Sequence, residues 1–123
     1  MSPDDLERVR HILERIEAAD LAESMAQRYP GDPDVAQVAL DALRYDLSAI
    51  GEAVSALSPA LRDDHPAVAW SAMARLGDQI DNNDDDSRDL QTVRAASGEP
   101  VRRLRAACRS ILGESVRIGE DEP

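Results

Sequence analysis

Oxygen-bearing side chains alternate along residues 81–89 with the spacing of a calcium-binding loop: Asp81, Asn83, Asp85, Ser87 and Asp89. Such a loop also needs a glycine at its sharp turn and a bidentate glutamate at its last position. Asp86 and Thr92 stand at those two positions. The segment therefore favours a solvated acidic loop over a calcium site, and we expect no bound metal.

The histidines and the cysteine are the other candidates for chemistry. Histidine exchanges protons most readily near neutral pH, and the chain has two, His11 and His65. Each stands apart from any catalytic constellation, which favours a surface or hydrogen-bonded residue. Cys108 has no second cysteine with which to form an intrachain disulfide or a metal site. We expect it to be a small buried hydrophobe, and nothing in the residues implies a cofactor.

Composition indicates one acidic domain. The 123 residues suit a single domain, and the net charge is −11 from 25 acidic and 14 basic side chains, all of the latter arginine. Proteins that bind nucleic acid usually neutralise phosphates with a basic surface, so this balance argues against RNA binding. No run of apolar residues is long enough to cross a bilayer, and the N-terminus lacks a leader pattern. We therefore expect a cytoplasmic protein.

A first helix is predicted from the N-terminus, with Ser2 as its cap and Pro3 at its first position. Apolar residues then recur at three-to-four-residue spacing and are expected on one face: Leu6, Val9, Ile12, Leu13, Ile16 and Met25. Two prolines and a glycine within residues 29–33 must end this helix.

A second helix is predicted to begin at Asp32, its cap, with Pro33 at the first position. Its expected apolar stripe consists of Val35, Val38, Leu43, Leu47, Ile50, Val54 and Leu57. Residues 58–59 close it, and residues 59–62 form a short turn.

Two further helical regions follow, and no segment has the pattern of a strand. The third helix, over roughly residues 67–80, presents Trp70, Met73, Leu76 and Ile80. The last carries Leu90, Val93, Val101, Leu104, Cys108, Ile111 and Leu112, with a break or kink expected at residues 97–100 because of Pro100. We therefore predict an all-α, up-and-down bundle of four or five helices over residues 1–113, followed by a polar, disordered tail at 114–123.

Two motifs in this helical pattern resemble the HepT toxin family of the HEPN superfamily. Residues 50–53 read IGEA, as in the family's second helix, and residues 65–70 read HPAVAW, similar to its entry to the third helix with Ala69 in place of a proline. The segment from residue 90 through Pro100 is similar to the family's final helix. The resemblance covers roughly residues 5–112. It implies a HEPN-like bundle, a homodimer and metal-independent RNA cleavage.

The family's catalytic motif is an Arg, a polar residue, a few spacers, then His and, two residues later, Tyr. His provides acid–base chemistry near neutral pH, and Arg stabilises charge at phosphorus. Counted from Trp70, the matching positions are Gly77, Asp78, Asn82 and Asp84. Only the polar residue is kept, so no catalytic residue is intact, and loss of acid–base catalysis alone costs roughly 100- to 10,000-fold.

The resemblance therefore implies a degenerate member of a toxin–antitoxin pair that acts by binding. The family's nucleotidyltransferase antitoxin modifies the motif Tyr, and Asp84 has no phenol to modify. The alternative is an active ribonuclease with a rearranged site, using Asn82, Asp78 and a partner's Arg, and inhibited by such an antitoxin. Arg75 is expected to be solvated rather than to replace the lost cation. Glu52 is either a buried partner for an arginine or a remnant of the active cleft, and the need of a buried carboxylate for a partner favours the first. We expect Trp70 to be a packing residue.

Overall fold

Every regular element in the part of the chain that the structure describes is a helix. The computed structural model describes the backbone of residues 2–76 and 90–121, and the side-chain surroundings of residues 2–76, Val93 and 98–113. Five helices lie within these ranges: α1 (Pro3–Arg28), α2 (Pro33–Ser55), α3 (Pro59–Asp63), α4 (Trp70–Ala74) and α5 (Leu90–Asp121). No strand occurs there, which confirms the predicted all-α class.

Helix α1 starts and ends where the sequence predicts. The Ser2 hydroxyl accepts a hydrogen bond of 3.2 Å from the Asp5 backbone N–H, which satisfies one of the free donors of the first turn. Arg28 is the last helical residue, and Gly31 then adopts a positive φ of 85° that turns the chain toward α2. Between these ends, three residues at helical spacing are fully buried: Val9, Ile12 and Ile16.

Helix α2 is capped by Asp32, whose carboxylate accepts hydrogen bonds from the backbone N–H groups of Asp34 (3.0 Å) and Val35 (3.2 Å). Its 23 residues span about 35 Å. The predicted stripe is buried over most of its length, at Leu43, Leu47, Ile50, Val54 and Leu57.

Helices α1 and α2 form an antiparallel hairpin. Asp5 near the start of α1 contacts Ser58 just beyond the end of α2, and Arg15 further along α1 contacts Asp46 further back in α2. Their facing apolar residues make one buried cluster, to which α4 and α5 contribute Trp70, Met73, Leu104, Cys108 and Ile111.

Helix α5 differs from the sequence prediction at two points. The chain is helical at every residue from Leu90 to Asp121, so Pro100 lies inside a helix with no break. The helix also continues past Gly113 to Asp121, through residues that the sequence pattern predicted to form a polar, disordered tail. Gly113 does not take a positive φ, so it does not terminate the helix as a C-cap glycine would.

The prediction that the apolar stripes are buried is wrong for two residues. Met25 of α1 is 38% exposed and Val38 of α2 is 69% exposed. Met25 follows Ile16 by nine residues, and Val38 precedes Leu47 by nine. Nine residues make two and a half helical turns, so each lies on the side opposite its buried neighbour.

None of the described helices is both long enough and apolar enough to serve as a membrane span.

Asp5 connects the start of α1 to the turn after α2. Its carboxylate accepts hydrogen bonds from the Ser58 backbone N–H (3.0 Å) and the Ser58 hydroxyl (2.6 Å), while that hydroxyl caps α3 by accepting from the Leu61 N–H. The side chain is only 3% exposed. Burial alone would raise the pKa of Asp5, but the hydrogen bonds from Ser58 outweigh it and hold the pKa below its ordinary value.

We expect Asp5→Asn to lower the free energy of unfolding by about 1–3 kcal/mol, because the new amide N–H₂ faces a buried donor. Asp4→Asn, in the same helical turn but exposed, is the matched control. Urea unfolding at pH 7 measures both, and equal effects of the two changes would contradict the assignment.

The same variant has a pH signature. Because the folded pKa of Asp5 lies below 3.8, its carboxylate stabilises the folded chain above that pH, and the contribution is lost as the pH falls through the folded value. We therefore expect the difference between wild type and Asp5→Asn to shrink below about pH 4 in an acid titration of stability.

Candidate functional site

The segment that leads into the expected ribonuclease motif is well packed. Trp70 is 8% exposed, and its indole N–H donates a hydrogen bond of 2.9 Å to the His65 carbonyl. Val68, Met73 and Leu76 are buried around it. Trp70 is thus a packing residue, as predicted, and it fixes the turn between α3 and α4.

The degenerate motif positions lie outside the described residues: Gly77, Asp78, Asn82 and Asp84. The alternating acidic loop at residues 81–89 lies outside them as well. Arg75 is described and exposed, and its Nε donates to the Ser71 carbonyl of its own helix at 3.3 Å. Within the described parts of the chain, no three His, Cys, Asp or Glu side chains are placed to hold a metal ion.

The IGEA motif is mostly a packing element. Ile50, Gly51 and Ala53 are buried, but Glu52 is exposed, so the prediction that Glu52 is the buried partner of an arginine is wrong. Glu52 follows the buried Ile50 by two residues, which turns it about 200° away from the core. The buried carboxylates in the described residues are instead Asp5 and Asp46.

The other reactive side chains behave as structural groups. His11 is exposed, and His65 is half-buried with its backbone carbonyl bound to Trp70. Cys108 is fully buried, and this burial raises the pKa of its thiol to about 12, which keeps it protonated and unreactive.

The candidate site that the structure does describe is an apolar groove between α1 and α2. It has a volume of about 530 Å³. Small residues line it, namely Ala18 and Ala22 from α1 and Ala39 and Ala42 from α2, and larger apolar side chains stand around them: Leu21, Met25, Val35 and Val38. We call these eight residues the hairpin groove.

Exposed large hydrophobic residues are concentrated on this hairpin. Within the part of the chain that the structure describes, the large apolar side chains exposed to solvent are Leu21 (64%), Met25, Tyr29 (49%), Val38 and Tyr45 (67%). All belong to α1, α2 or the turn between them. Three of them, Leu21, Met25 and Val38, line the groove, and an exposed apolar patch on a chain this polar is typical of a binding site.

The sequence carried a signal for this groove. Leu21 and Met25 form an i, i+4 pair on α1, and Val38, Ala42 and Tyr45 follow the i, i+4, i+7 pattern on α2. Each set is displaced from the core stripe of its helix. Both helices are therefore apolar on two sides, and the prediction of a single apolar stripe per helix covered only the side that faces the core.

An ion pair between the half-buried Arg15 and the buried Asp46 lines one end of the groove. The Arg15 guanidinium donates a hydrogen bond of 3.2 Å to the Asp46 carboxylate, and the Asp46 side chain is 5% exposed against 30% for Arg15. Burial raises the pKa of Asp46, and the attraction of Arg15 only partly offsets it. The Arg15 Nε is buried without a hydrogen-bond partner among the described residues, so the pair is incompletely satisfied.

The rims of the groove are charged. Exposed acids stand on both helices, namely Glu14 and Glu17 on α1 and Asp34 and Asp41 on α2, and Arg28 stands at the far end of α1. An apolar centre within a polar, charged rim is the usual anatomy of a protein–protein interface.

Comparison with models of protein families, with curated proteins and with solved structures finds no match to this chain.

We expect Arg15→Met to destabilise the chain more than Asp46→Asn. Removal of Arg15 leaves a buried carboxylate without its cation and should cost about 3 kcal/mol. The amide that Asp46→Asn introduces still accepts a hydrogen bond from Arg15 and removes a buried charge, for a net change within about 1 kcal/mol. Urea unfolding of both variants at pH 7 makes the comparison.

The pH dependence of these variants has a defined sign. Burial raises the pKa of Asp46 in the folded chain, so the protonated carboxyl is favoured there. Asp46 therefore contributes most to the free energy of unfolding below its ordinary pKa of 3.8, and this contribution is lost as the pH rises through the folded pKa. Asp46→Asn should therefore gain relative to wild type between acid and neutral pH. A cost of Asp46→Asn equal to that of Arg15→Met would contradict this account.

Proposed function

We propose that this chain is a catalytically inactive, HepT-like interaction protein of a toxin–antitoxin pair, which acts through protein contacts rather than RNA cleavage. The observation that carries the proposal is the hairpin groove. Large apolar side chains such as Leu21 and Val38 are about two-thirds exposed at its walls, although the same two helices bury a complete core on their other sides.

Core packing gives no reason for this surface. Leaving a large aliphatic side chain in water rather than burying it forgoes about 1.5–3 kcal/mol. Leu21, Val38 and Tyr45 are exposed in the single chain, so the free energy of burying them becomes available only when a partner covers them. A chain of this charge would also be soluble without apolar residues at these positions, so a binding role is the simplest reason for them.

The chemistry of the resembled family supports the inactive interpretation. Gly77 offers no charge, Asn82 transfers no proton near pH 7, and Asp84 has no phenol. His11 and His65, the remaining groups suited to acid–base work, are respectively exposed on α1 and half-buried with the Trp70 contact. His65 stands next to the resembled segment but five residues before Trp70, outside the motif.

Electrostatics supports the same conclusion. A net charge of −11 repels a polyanion, and like charges about 4 Å apart cost about 1 kcal/mol in water and about 4 at an effective dielectric of 20. An RNA substrate would therefore meet an unfavourable surface. A protein partner, including a second copy or a nucleotidyltransferase antitoxin that binds by shape, would not need a basic cleft.

We expect the purified chain to cleave RNA no faster than buffer alone, measured on a fluorescently labelled single-stranded RNA. Cleavage by the wild type that is abolished by Asn82→Ala or Asp78→Ala would contradict the proposal and favour a ribonuclease with a rearranged site.

The converse experiment restores the motif. The triple variant Gly77→Arg, Asn82→His and Asp84→Tyr should gain measurable RNA cleavage, because acid–base catalysis alone contributes roughly 100- to 10,000-fold. The double variant Gly77→Arg and Asp84→Tyr, which lacks the histidine, is the matched control and should remain inactive.

A further inference from the structure

The hairpin groove has the dimensions that a single helix requires. Its walls run from Arg15 to Met25 on α1 and from Asp34 to Asp46 on α2, about 15 and 18 Å along the helix axes. Three residues at i, i+4 and i+7 on a helix span about 10 Å, so the groove has room for one such row of apolar side chains. The alanines that line it keep the side chains between its walls short, which lets a third helix approach both α1 and α2.

Acids flank the exposed apolar side chains of the hairpin. Three acids each precede an exposed apolar residue by four positions: Glu17 and Leu21 on α1, Asp34 and Val38 on α2, and Asp41 and Tyr45 on α2. Residues four apart on a helix lie side by side, so each acid stands next to apolar surface that a partner would cover. We call these three residues (17, 34 and 41) the flanking acids.

The flanking acids carry charge that the chain leaves without a cation. Arginines pair with other acids, among them Asp20, Asp46 and Glu99. Within the part of the chain that the structure describes, none of the flanking acids forms a salt bridge. Asp41 accepts a hydrogen bond of 3.0 Å from the Gln37 amide, which does not neutralise its charge. The rim of the groove is therefore negative.

We propose that the hairpin groove binds one basic amphipathic helix of a partner protein. Apolar side chains at i, i+4 and i+7 of that helix fill the groove, and Lys or Arg on either side of the row pair with the flanking acids. A base beside Asp41 also reaches the exposed ring of Tyr45, one turn further along α2, for a cation–π contact. The inference rests on the proposed function in assigning the groove to protein binding, and it adds the chemistry of the partner.

Charge disfavours the other occupants. A second copy that docked by the same face would bring the flanking acids of both chains together, and each chain carries a net charge of −11. An anionic bilayer or a nucleic acid would meet the same repulsion. The chain's own basic stretch, residues 98–113 of α5, buries Val101, Leu104 and Cys108 in the core, so these apolar side chains are not available to the groove. A basic helix from another protein satisfies both the apolar walls and the negative rim.

Fluorescence anisotropy of a labelled peptide tests the proposal with the full chain. The probe is a helical peptide of about 18 residues, five turns, with leucines along one face and lysines elsewhere. We expect saturable binding, and binding weaker by about tenfold or more when glutamate replaces every lysine. A scrambled peptide of the same composition, which has no apolar face, should bind as weakly as the glutamate peptide.

Val38→Arg tests whether the groove is the site. It places a charge on the apolar wall and should raise the Kd of the lysine peptide about tenfold or more. The helical circular dichroism spectrum should not change, because Val38 is 69% exposed. Ala36→Arg is the matched control: it adds the same charge to the same helix at an exposed position turned about 200° from Val38, and should leave the Kd near the wild-type value.

Neutral variants test the rim. Glu17→Gln with Asp41→Asn should raise the Kd of the lysine peptide about fivefold, because two exposed ion pairs are lost, and should make the Kd less sensitive to salt. Asp63→Asn with Asp64→Asn removes the same charge from exposed positions at the end of α3. This control should leave both the Kd and its salt dependence near those of the wild type.

Each contrary result overturns a defined part of the inference. Equal binding of the lysine and glutamate peptides would refute a basic partner, and equal binding of the scrambled peptide would refute a helix in the groove. Equal effects of Val38→Arg and Ala36→Arg would place the contact elsewhere. If the lysine peptide does not bind at all, the inference is refuted, while the proposed loss of catalysis still stands on its own ribonuclease assay.

Discussion

The packing of α1 on α2 is the constraint on which the rest of the structure depends. Ile12 and Ile16 share one buried cluster with Leu43 and Leu47, and each such side chain contributes about 1.5–3 kcal/mol when it leaves water. Once these stripes face each other, the opposite sides of both helices are fixed as an outer surface. Residues such as Leu21 and Val38 then have no place in the core, and the hairpin groove follows from the same register that builds the interior.

The two buried aspartates of the hairpin, Asp5 and Asp46, differ in their effect on stability. Asp5 accepts two hydrogen bonds from Ser58, so its charged form is favoured and it links α1 to the turn before α3. Asp46 has one contact with Arg15, and burial outweighs it. Asp5 therefore stabilises the fold, whereas the Arg15–Asp46 pair contributes less stability than its burial suggests. The pair instead places charged groups at the end of an otherwise apolar groove.

The starts of α1 and α2 could be predicted from residues close to them in sequence. Features that depend on how the helices pack could not. Ser2, Asp32 and the prolines after them determine where α1 and α2 begin, because caps act within a few residues. The continuation of α5 through Pro100 and Gly113 was missed, since a single proline removes one hydrogen bond that a long helix tolerates. Glu52 was assigned to the core by its motif, although its angular position places it in solvent. Predicting the groove requires knowing how α1 packs on α2, and the apolar pattern of a single helix does not give that arrangement.

The distribution of arginine connects the fold with the proposed loss of catalysis. The chain has no lysine, and several arginines already contact acids of the same chain: Arg15 with Asp46, Arg102 and Arg103 with Glu99, and Arg105 with Asp20. Such pairs neutralise cations that a ribonuclease would direct at phosphate. Arg75 is directed back along its own helix. Under the proposed function, a change of only Asn82 to His would supply a proton-transfer group but no cation at position 77, where the resembled family has its Arg, so Gly77→Arg accompanies it in the proposed test.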